Sequence, residues 1–365
     1  MSQAYSTPTS TSTVSDQWLR KWSVVVYDSA AGANVATQIS AGSDAPGEEQ
    51  LHIVFEVHQT TASIPNYCSI KIYNVSNNLV TMIKNQYRRV TLSAGYLNGR
   101  FGVIFDGTIR QIKFGGETAV DSFLEIDAAD GDRPYNNATI SSTLIGSANT
   151  PQGRIKALAQ SLTPWDTTVP SSQVLAAPVL PIQPRPTVQY GLSAPILDNT
   201  AKSVYVGGQP MEWSIQNGQF VLVPSNVSIS DTTAFIINSL TGMVGFPVTT
   251  SDGLEVRTLL NPSYGIRRPV IINNTIVNQT LAAQGNSIQG IQEPIFPGPG
   301  ISDYIMDVSA DGTYIILVVE HRGDSRGNDW YSDLVVISAV PVGGSTNPKN
   351  YQQVQPYSGI NGGGS

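Results

Sequence analysis

Leu51-His52-Ile53-Val54-Phe55-Glu56-Val57-His58 sets Leu51, Ile53, Phe55 and Val57 on one side of an extended chain. His52, Val54, Glu56 and His58 fall on the other. A period of two with one apolar side is the mark of an antiparallel strand with one buried and one polar face. The same rule runs through Cys68, Ile70 and Ile72 against Ser69, Lys71 and Tyr73, then through Val90, Leu92 and Ala94, and again through Leu124, Ile126 and Ala128. Upstream, Trp22-Ser23-Val24-Val25-Val26-Tyr27 opens the strand pattern, and Ser76 to Ile83 reads as a short capped helix between two strands. Residues 20–135 therefore read as a first β domain, preceded by a Ser/Thr-rich arm over 1–19 that is expected to be flexible.

Residues 136–243 break this pattern. Thr150-Pro151 offers an N-cap and a first-turn proline, and Ile155, Leu158, Ala159 and Leu162 then form one helical stripe. Beyond Trp165, prolines 170, 178, 181, 184, 186 and 195 predict an extended connector that excludes helix and interior strand. Asn217-Gly218 predicts the turn of a hairpin between Met211–Ile215 and Gln219–Val223. A second helix is expected from Thr232 to Leu240, stopped by Gly242. Strands return in a second β domain over 244–340, at 254–260, 268–277, 304–308, 313–321 and 333–340, with a Gly/Pro/Gln loop at 278–302. The Gly/Asn-rich tail 341–365 is expected to be flexible.

The two β regions echo each other. Arg88-Arg89-Val90-Thr91-Leu92, Asp106-Gly107-Thr108-Ile109 and Leu124-Glu125-Ile126-Asp127-Ala128 recur, in order, as Arg267-Arg268-Pro269-Val270-Ile271, Asp311-Gly312-Thr313-Tyr314 and Val335-Val336-Ile337-Ser338-Ala339. Strand, tight turn, long strand and closing strand follow one another each time, which predicts an internal duplication.

Composition narrows the function. The 365 residues carry 20 Lys and Arg against 27 Asp and Glu, for a net charge of −7, and only 13% are charged. Ser, Thr, Asn and Gln supply the polarity instead, and no basic excess exists to hold nucleic acid by counterion release. The lone Cys68 can form neither an intrachain disulfide nor a cysteine zinc site. The longest apolar run, Tyr314 to Val319, is far below the ~18 residues of a membrane helix, and no secretory leader is visible, so a soluble protein made in a cytoplasm is expected.

Motifs for catalysis are missing: no phosphate-binding glycine loop, nucleophile elbow or His-Glu-x-x-His. His52 and His58 share the polar face of one strand and read as surface imidazoles. His321, Asp324 and Ser325 crowd within five residues, whereas a hydrolytic triad draws its members from separate elements. Asp127, Asp130 and Asp132 lack the spacing of a calcium loop and read as a strand ending in an Asp-Gly turn. No metal or cofactor is predicted.

Ile70-Lys71-Ile72-Tyr73-Asn74-Val75-Ser76, Val90 to Gly95-Tyr96, Ile104-Phe105-Asp106-Gly107-Thr108-Ile109 and Ala128-Ala129-Asp130-Gly131 together give the chain a resemblance to phage baseplate hub proteins of Mu-like and other contractile tails. The resemblance continues through the hairpin at Trp213, through Asn261-Pro262, and through His321-Arg322-Gly323-Asp324-Ser325-Arg326-Gly327-Asn328-Asp329-Trp330. It implies a mainly β, minor α (α+β) chain with two tube-type β-barrel domains joined by the helix and hairpin segment. It also implies a homotrimer that adapts a six-fold tail tube to a three-fold central spike, with tape measure and baseplate wedge proteins as further partners, no membrane contact, and DNA only passing through the lumen. The location implied is the virion tail baseplate, assembled in the host cytoplasm. The residues it marks, all structural, are Tyr73, Asn74, Gly95, Tyr96, Asp106, Gly107, Asp130, Gly131, Trp213, Asn261, Pro262, His321, Gly323, Asp324, Arg326, Gly327 and Trp330. The alternatives are a hub that also degrades cell wall and a hexameric tail-tube or distal-tail ring protein.

Overall fold

Alternating side chains find their apolar partners in one curled sheet. The computed structural model describes residues 17, 19–27, 35–41, 51–86, 88–165, 167–170, 185–206, 208–225, 234–250, 253–272 and 312–338. The first module contains β1 (Arg20–Tyr27), β2 (Val35–Ala41), β3 (Ile53–Thr60), β4 (Asn66–Tyr73), β5 (Arg89–Tyr96), β6 (Phe101–Gly116) and β7 (Ser122–Asp130), with helix α1 (Asn77–Gln86) between β4 and β5. The middle segment holds α2 (Asp132–Asn137), β8 (Thr139–Leu144), α3 (Pro151–Gln160), β9 (Thr187–Leu192), α4 (Ser193–Lys202), β10 (Tyr205–Val206), β11 (Gln209–Gln216) and β12 (Gln219–Pro224). The second module contains β13 (Phe235–Ile237), β14 (Met243–Thr249), β15 (Leu254–Leu259), β16 (Pro269–Ile272), β17 (Thr313–Asp324) and β18 (Trp330–Ser338). The protein is mainly β with minor α.

Both modules use one strand order. The first runs β3-β4-β7-β6-β5 and the second β14-β15-β18-β17-β16. The likeness extends to a bulge. The β6–β7 ladder steps from Ile109/Ala128 to Gln111/Asp127, leaving Arg110 unpaired, and the β17–β18 ladder steps from Ile316/Val336 to Val318/Val335, leaving Leu317 unpaired. An extra residue at the same place in both long strands raises the local twist of each. The echo in the sequence thus marks corresponding strands, shifted by a few residues: the ladders set Gly107 beside Tyr314 and Ala128 beside Val336. The modules differ at the next strand, because β1 joins β5 antiparallel whereas β13 joins β16 parallel.

The modules meet edge to edge. The outer half of β17, Val318 to Asp324, pairs with β3 from Thr60 to Val54, so a single 13-stranded sheet spans both. Packing follows the pairing: Trp330 and Leu260, from the second module, lie in the hydrophobic cluster of the first, with Trp22, Phe55 and Phe105. A second cluster fills the middle segment around Leu158, Leu197, Trp213 and Phe220, and a third fills the second module around Val256, Val270, Tyr314 and Val336.

Local signals hold where no distant strand competes. Thr150 caps α3 by accepting from the Gly153 amide at 3.0 Å, Ile155, Leu158 and Ala159 are buried, and Asn217-Gly218 turns the β11–β12 hairpin with φ of 52° and 73°. Two expectations are corrected. Residues 235–237 are a strand, not a helix, because Phe235 to Ile237 pair with Val270 to Ile272; Asn238 Oδ1 then accepts from the Leu240 and Thr241 amides and forms an Asx turn. The proline-rich stretch does carry regular structure at its end, in β9 and α4, since Pro195 is the third residue of α4, in the first turn, whose amides need no helical partner. The segment 171–184, the loop 278–302, the strand expected at 304–308 and the tail 341–365 lie outside the described residues.

Candidate functional site

Most residues marked by the sequence fall into one of two groups of contacts that tie parts of the chain together. The first is the β3–β17 junction. Gly323 leaves room for the Phe55 ring: a Cβ there would stand 2.2 Å from the ring carbon Cζ. Phe55 packs edge-on against Trp330, with ring centroids 5.4 Å apart, and Arg20 covers the other aromatic partner, its guanidinium carbon 5.4 Å from the Trp330 centroid. Arg20 Nη1 also donates to the carbonyl oxygens of Asp324 and Gly327, each at 2.5 Å, and so pins the β17–β18 turn to β1.

Asp324 organises that turn. Its Oδ1 accepts from the Arg326 amide at 2.9 Å and the Gly327 amide at 2.7 Å, and His52 Nε2 lies 2.7 Å away. These donors hold the carboxyl below its ordinary pKa, against the opposing effect of burial. A Cβ on Gly327 would stand 2.4 Å from Asp324 Oδ2, so only glycine fits there. His52 is partly exposed, and it also stacks on Tyr73 at 4.6 Å. Asn74, at φ 58°, accepts from the Ser122 amide and donates to Asp121 Oδ1. His52, Tyr73, Asn74, Glu117, Asp121 and Arg326 line a polar cleft of about 360 Å³ beside the turn. Its carboxylates are engaged already, Glu117 by Lys71 at 2.9 Å and Asp121 by Asn74 and Thr118.

His321 sits deeper. It is buried, its Nδ1 lies 2.8 Å from Ser332 Oγ, and that oxygen accepts from the Asn261 amide at 3.1 Å. Burial alone pushes its pKa down to about 3, so the ring is neutral. Asn261 Oδ1 accepts from Ser263, Pro262 faces Gly102, and the buried Tyr96 hydroxyl, its pKa raised by burial, reaches the Leu260 backbone. The crowded His321, Asp324 and Ser325 therefore point to different partners: Ser332, His52 and the Ile53 amide. They form no triad.

The second group clamps the first module to the hairpin. Asp130, at the end of β7, accepts from the Gly218 amide at 2.9 Å, and burial raises its pKa to about 7. Gly131, at φ 80°, lies against Ile215, where a Cβ would stand 2.9 Å from that side chain. Asn66 donates to the Ile215 carbonyl oxygen at 3.1 Å and to Gln216 Oε1 at 3.0 Å. Trp213 is buried and stacks on Phe220 at 6.2 Å. Nearby, Asp106 pairs in two-pronged fashion with Arg89 at 2.7 and 2.8 Å. Gly107 lies under the Phe105 ring, and Gly95 faces the Arg100 carbonyl.

The acidic run does not converge. Asp127 binds Lys113, Asp130 binds Gly218, and Asp132 lies 3.3 Å from Arg110. Among the described residues no three His, Cys, Asp or Glu side chains share a position for a metal ion, and no helix is long and apolar enough to cross a membrane. Sequence reading missed Arg20, and it read Phe55 only as a strand residue and Gly218 only as a turn residue. The Asn-Gly turn signal located Gly218, but its outward amide gains meaning only once Asp130 is seen beneath it.

No family model and no curated protein matches this sequence. Solved structures do resemble it. The 43 kDa tail protein of prophage MuSo2 from Shewanella oneidensis is 8% identical, with 87% of this chain and 97% of that one covered at a TM-score of 0.45. A tail protein from Neisseria meningitidis is 12% identical, with 87% and 96% covered at 0.44. A component of the E. coli type VI secretion system, described as structurally similar to phage T4 tail proteins, is 11% identical, with 81% and 76% covered at 0.44.

Proposed function

We propose that this chain is a structural, non-enzymatic phage tail component: a homotrimeric baseplate hub that adapts a six-fold tail tube to a three-fold spike. The observation that carries the reading is the repeated module, with one strand order and one bulge used twice and the two copies joined edge to edge through β3 and β17. A chain holding two equivalent units lets three copies present six. Joining edges in a closed ring also removes the exposed strand edges that an isolated sheet leaves open.

In this reading residues 20–135 and 244–340 are the two tube domains, β13 (Phe235–Ile237) adds a strand to the second, and the helix, connector and hairpin segment of 136–243 lies between them. Most of the marked residues hold the junction or the clamp, a structural role. Low charge density suits broad contacts with tube, spike, tape measure and wedge proteins, because few ions need desolvating. The acidic balance of −7 suits passage of DNA through a lumen that does not hold phosphate. Assembly takes place in the host cytoplasm and the product resides in the virion.

Native mass spectrometry of the purified chain tests this. Three copies are expected; six would transfer the reading to a hexameric tail ring. Clearing of peptidoglycan in a zymogram would replace it with a cell-wall-degrading hub.

A further inference from the structure

Among the described residues, the outer half of β6 and the edge of β14 have no strand beside them, and the internal junction supplies a template for joining them. Counted from the shared bulge, Phe114 of β6 corresponds to His321 of β17, Gly115 to Arg322, and Gly116 to Gly323. On the opposite side, the ladders to β15 and β4 set Val244 of β14 beside Val54 of β3, Val248 beside Glu56, and Thr249 beside Val57. The extra residues of β14 fall opposite the place of Phe55, and Phe246 stands there, 71% exposed. In the junction β17 has β3 along its outer half. Among the described residues, the matching half of β6 has β7 on one side and no strand on the other, and β14 ends the sheet. Exposure follows: His321 is 1% exposed, whereas its counterpart Phe114 is 37% exposed.

The backbone parity of the two edges also agrees. The Glu117 amide bonds the Asp121 carbonyl, so the amides of Phe114 and Gly116 turn away from β7. The Thr250 amide bonds the Gly253 carbonyl, so the Thr249 amide turns away from β15. In the template, bonds from Ser325 to Ile53 and from Thr61 to Leu317 make His321/Val57 a hydrogen-bonded pair and Arg322/Glu56 a non-bonded one. Phe114 and Thr249 therefore each turn toward the open edge the amide and carbonyl that the corresponding pair uses.

We propose that a second copy of this chain lays its β14 antiparallel along β6 from Lys113 to Gly116, opposing Phe114 to Thr249 and Gly115 to Val248. Phe246 of that copy seats over Gly116 as Phe55 seats over Gly323. The contact is head to tail, because the two edges differ, and it generates a ring when the rotation closes. The inference rests on the reading of the chain as a ring of repeated modules, but it fixes strand, register and anchor independently of the number of copies.

Disulfide trapping tests it. Gly115 and Val248 form a non-bonded pair in this register, with Cα atoms about 4.5 Å apart, inside the range a disulfide spans. The native thiol, Cys68, is buried and gives no background. The double variant Gly115→Cys/Val248→Cys is expected to form covalently linked multimers on oxidation, while neither single variant nor the slipped pair Phe114→Cys/Val248→Cys does. Gly116→Val fills the seat and is expected to weaken self-association at least tenfold. A Cβ at Gly116 meets nothing nearer than the Thr118 carbonyl oxygen at 3.5 Å, so the chain folds. Three-copy particles that never cross-link, or that link equally through the slipped pair, overturn this edge contact and leave the trimer standing. Cross-linked six-copy particles overturn the trimer and leave the edge contact standing. A chain that stays monomeric overturns both.

Discussion

The Phe55 ring occupies the space that a side chain on Gly323 would take, with Cζ 2.2 Å from where a Cβ would stand. The two residues also face each other across the β3–β17 ladder, so the ring cannot withdraw without breaking the seam between modules. Gly323→Ala is expected to destabilise the chain by about 2 kcal/mol through overpacking. Phe55→Leu in the same chain should recover part of that loss, because the two substitutions share one space. Urea midpoints of the two single variants and the double variant check this, and strictly additive losses would count against the packing argument.

Asp130 sets a pH dependence of its own. The unfolded carboxyl ionises near 3.8 and the folded one near 7, chiefly through burial, with the Gly218 and Asn217 amides pulling the other way. Native stability therefore falls as pH rises through that window and stays reduced above it, by an amount on the order of 4 kcal/mol. Asp130→Asn keeps an oxygen for the Gly218 amide and removes the charge. It is expected to be more stable than wild type at pH 8 and equal to it near pH 4. Equal unfolding midpoints at pH 8 would sink this account.

His321 works in the opposite sense. Its ring is protonated near 6.5 when unfolded and only near 3 when folded, so stability present above pH 6.5 is lost as pH falls toward 3. The two slopes oppose each other between pH 4 and 6.5. Asp130→Asn should thus expose a steeper acid loss, and adding His321→Leu should flatten it. Midpoints measured from pH 4 to 8 for both variants decide the matter; an unchanged acid slope in the leucine variant would assign the proton uptake elsewhere.

Legibility in the sequence followed the range of the interaction. Ile53, Phe55 and Val57 declared their strand because alternation is local, and Thr150 and Asn217-Gly218 declared a cap and a turn for the same reason. Phe235-Ile236-Ile237 did not, since its partner is the distant β16, and the nearby Gly242 mimics a helix end. The β3–β17 seam was hidden for a like cause: nothing near His52 or Phe55 names a residue such as Asp324 or Gly323, and only the ladder brings them together. Residues marked by resemblance sorted into seam and clamp once the sheet order was known. Arg20 escaped because a single arginine at a strand start has no local signature, although its guanidinium holds two carbonyls of the β17–β18 turn.

The ion pair between Arg267 and Glu212 joins the second module to the hairpin, and its two ends are not equivalent. Arg267 has a side chain 3% exposed while that of Glu212 is 35% exposed, and burial lowers the arginine pKa despite its partner. Removing the carboxylate strands a buried guanidinium, with the Pro224 carbonyl oxygen at 3.4 Å as its other acceptor. Glu212→Ala is therefore expected to cost about 3 kcal/mol. Removing the arginine leaves a carboxylate that water can reach, and Arg267 sits at φ 65°, where glycine is at ease. Arg267→Gly should accordingly cost less than Glu212→Ala, although it deletes the larger side chain. Chemical denaturation of the two variants settles the order, and a greater loss for Arg267→Gly would mean that packing of the arginine stem outweighs its charge.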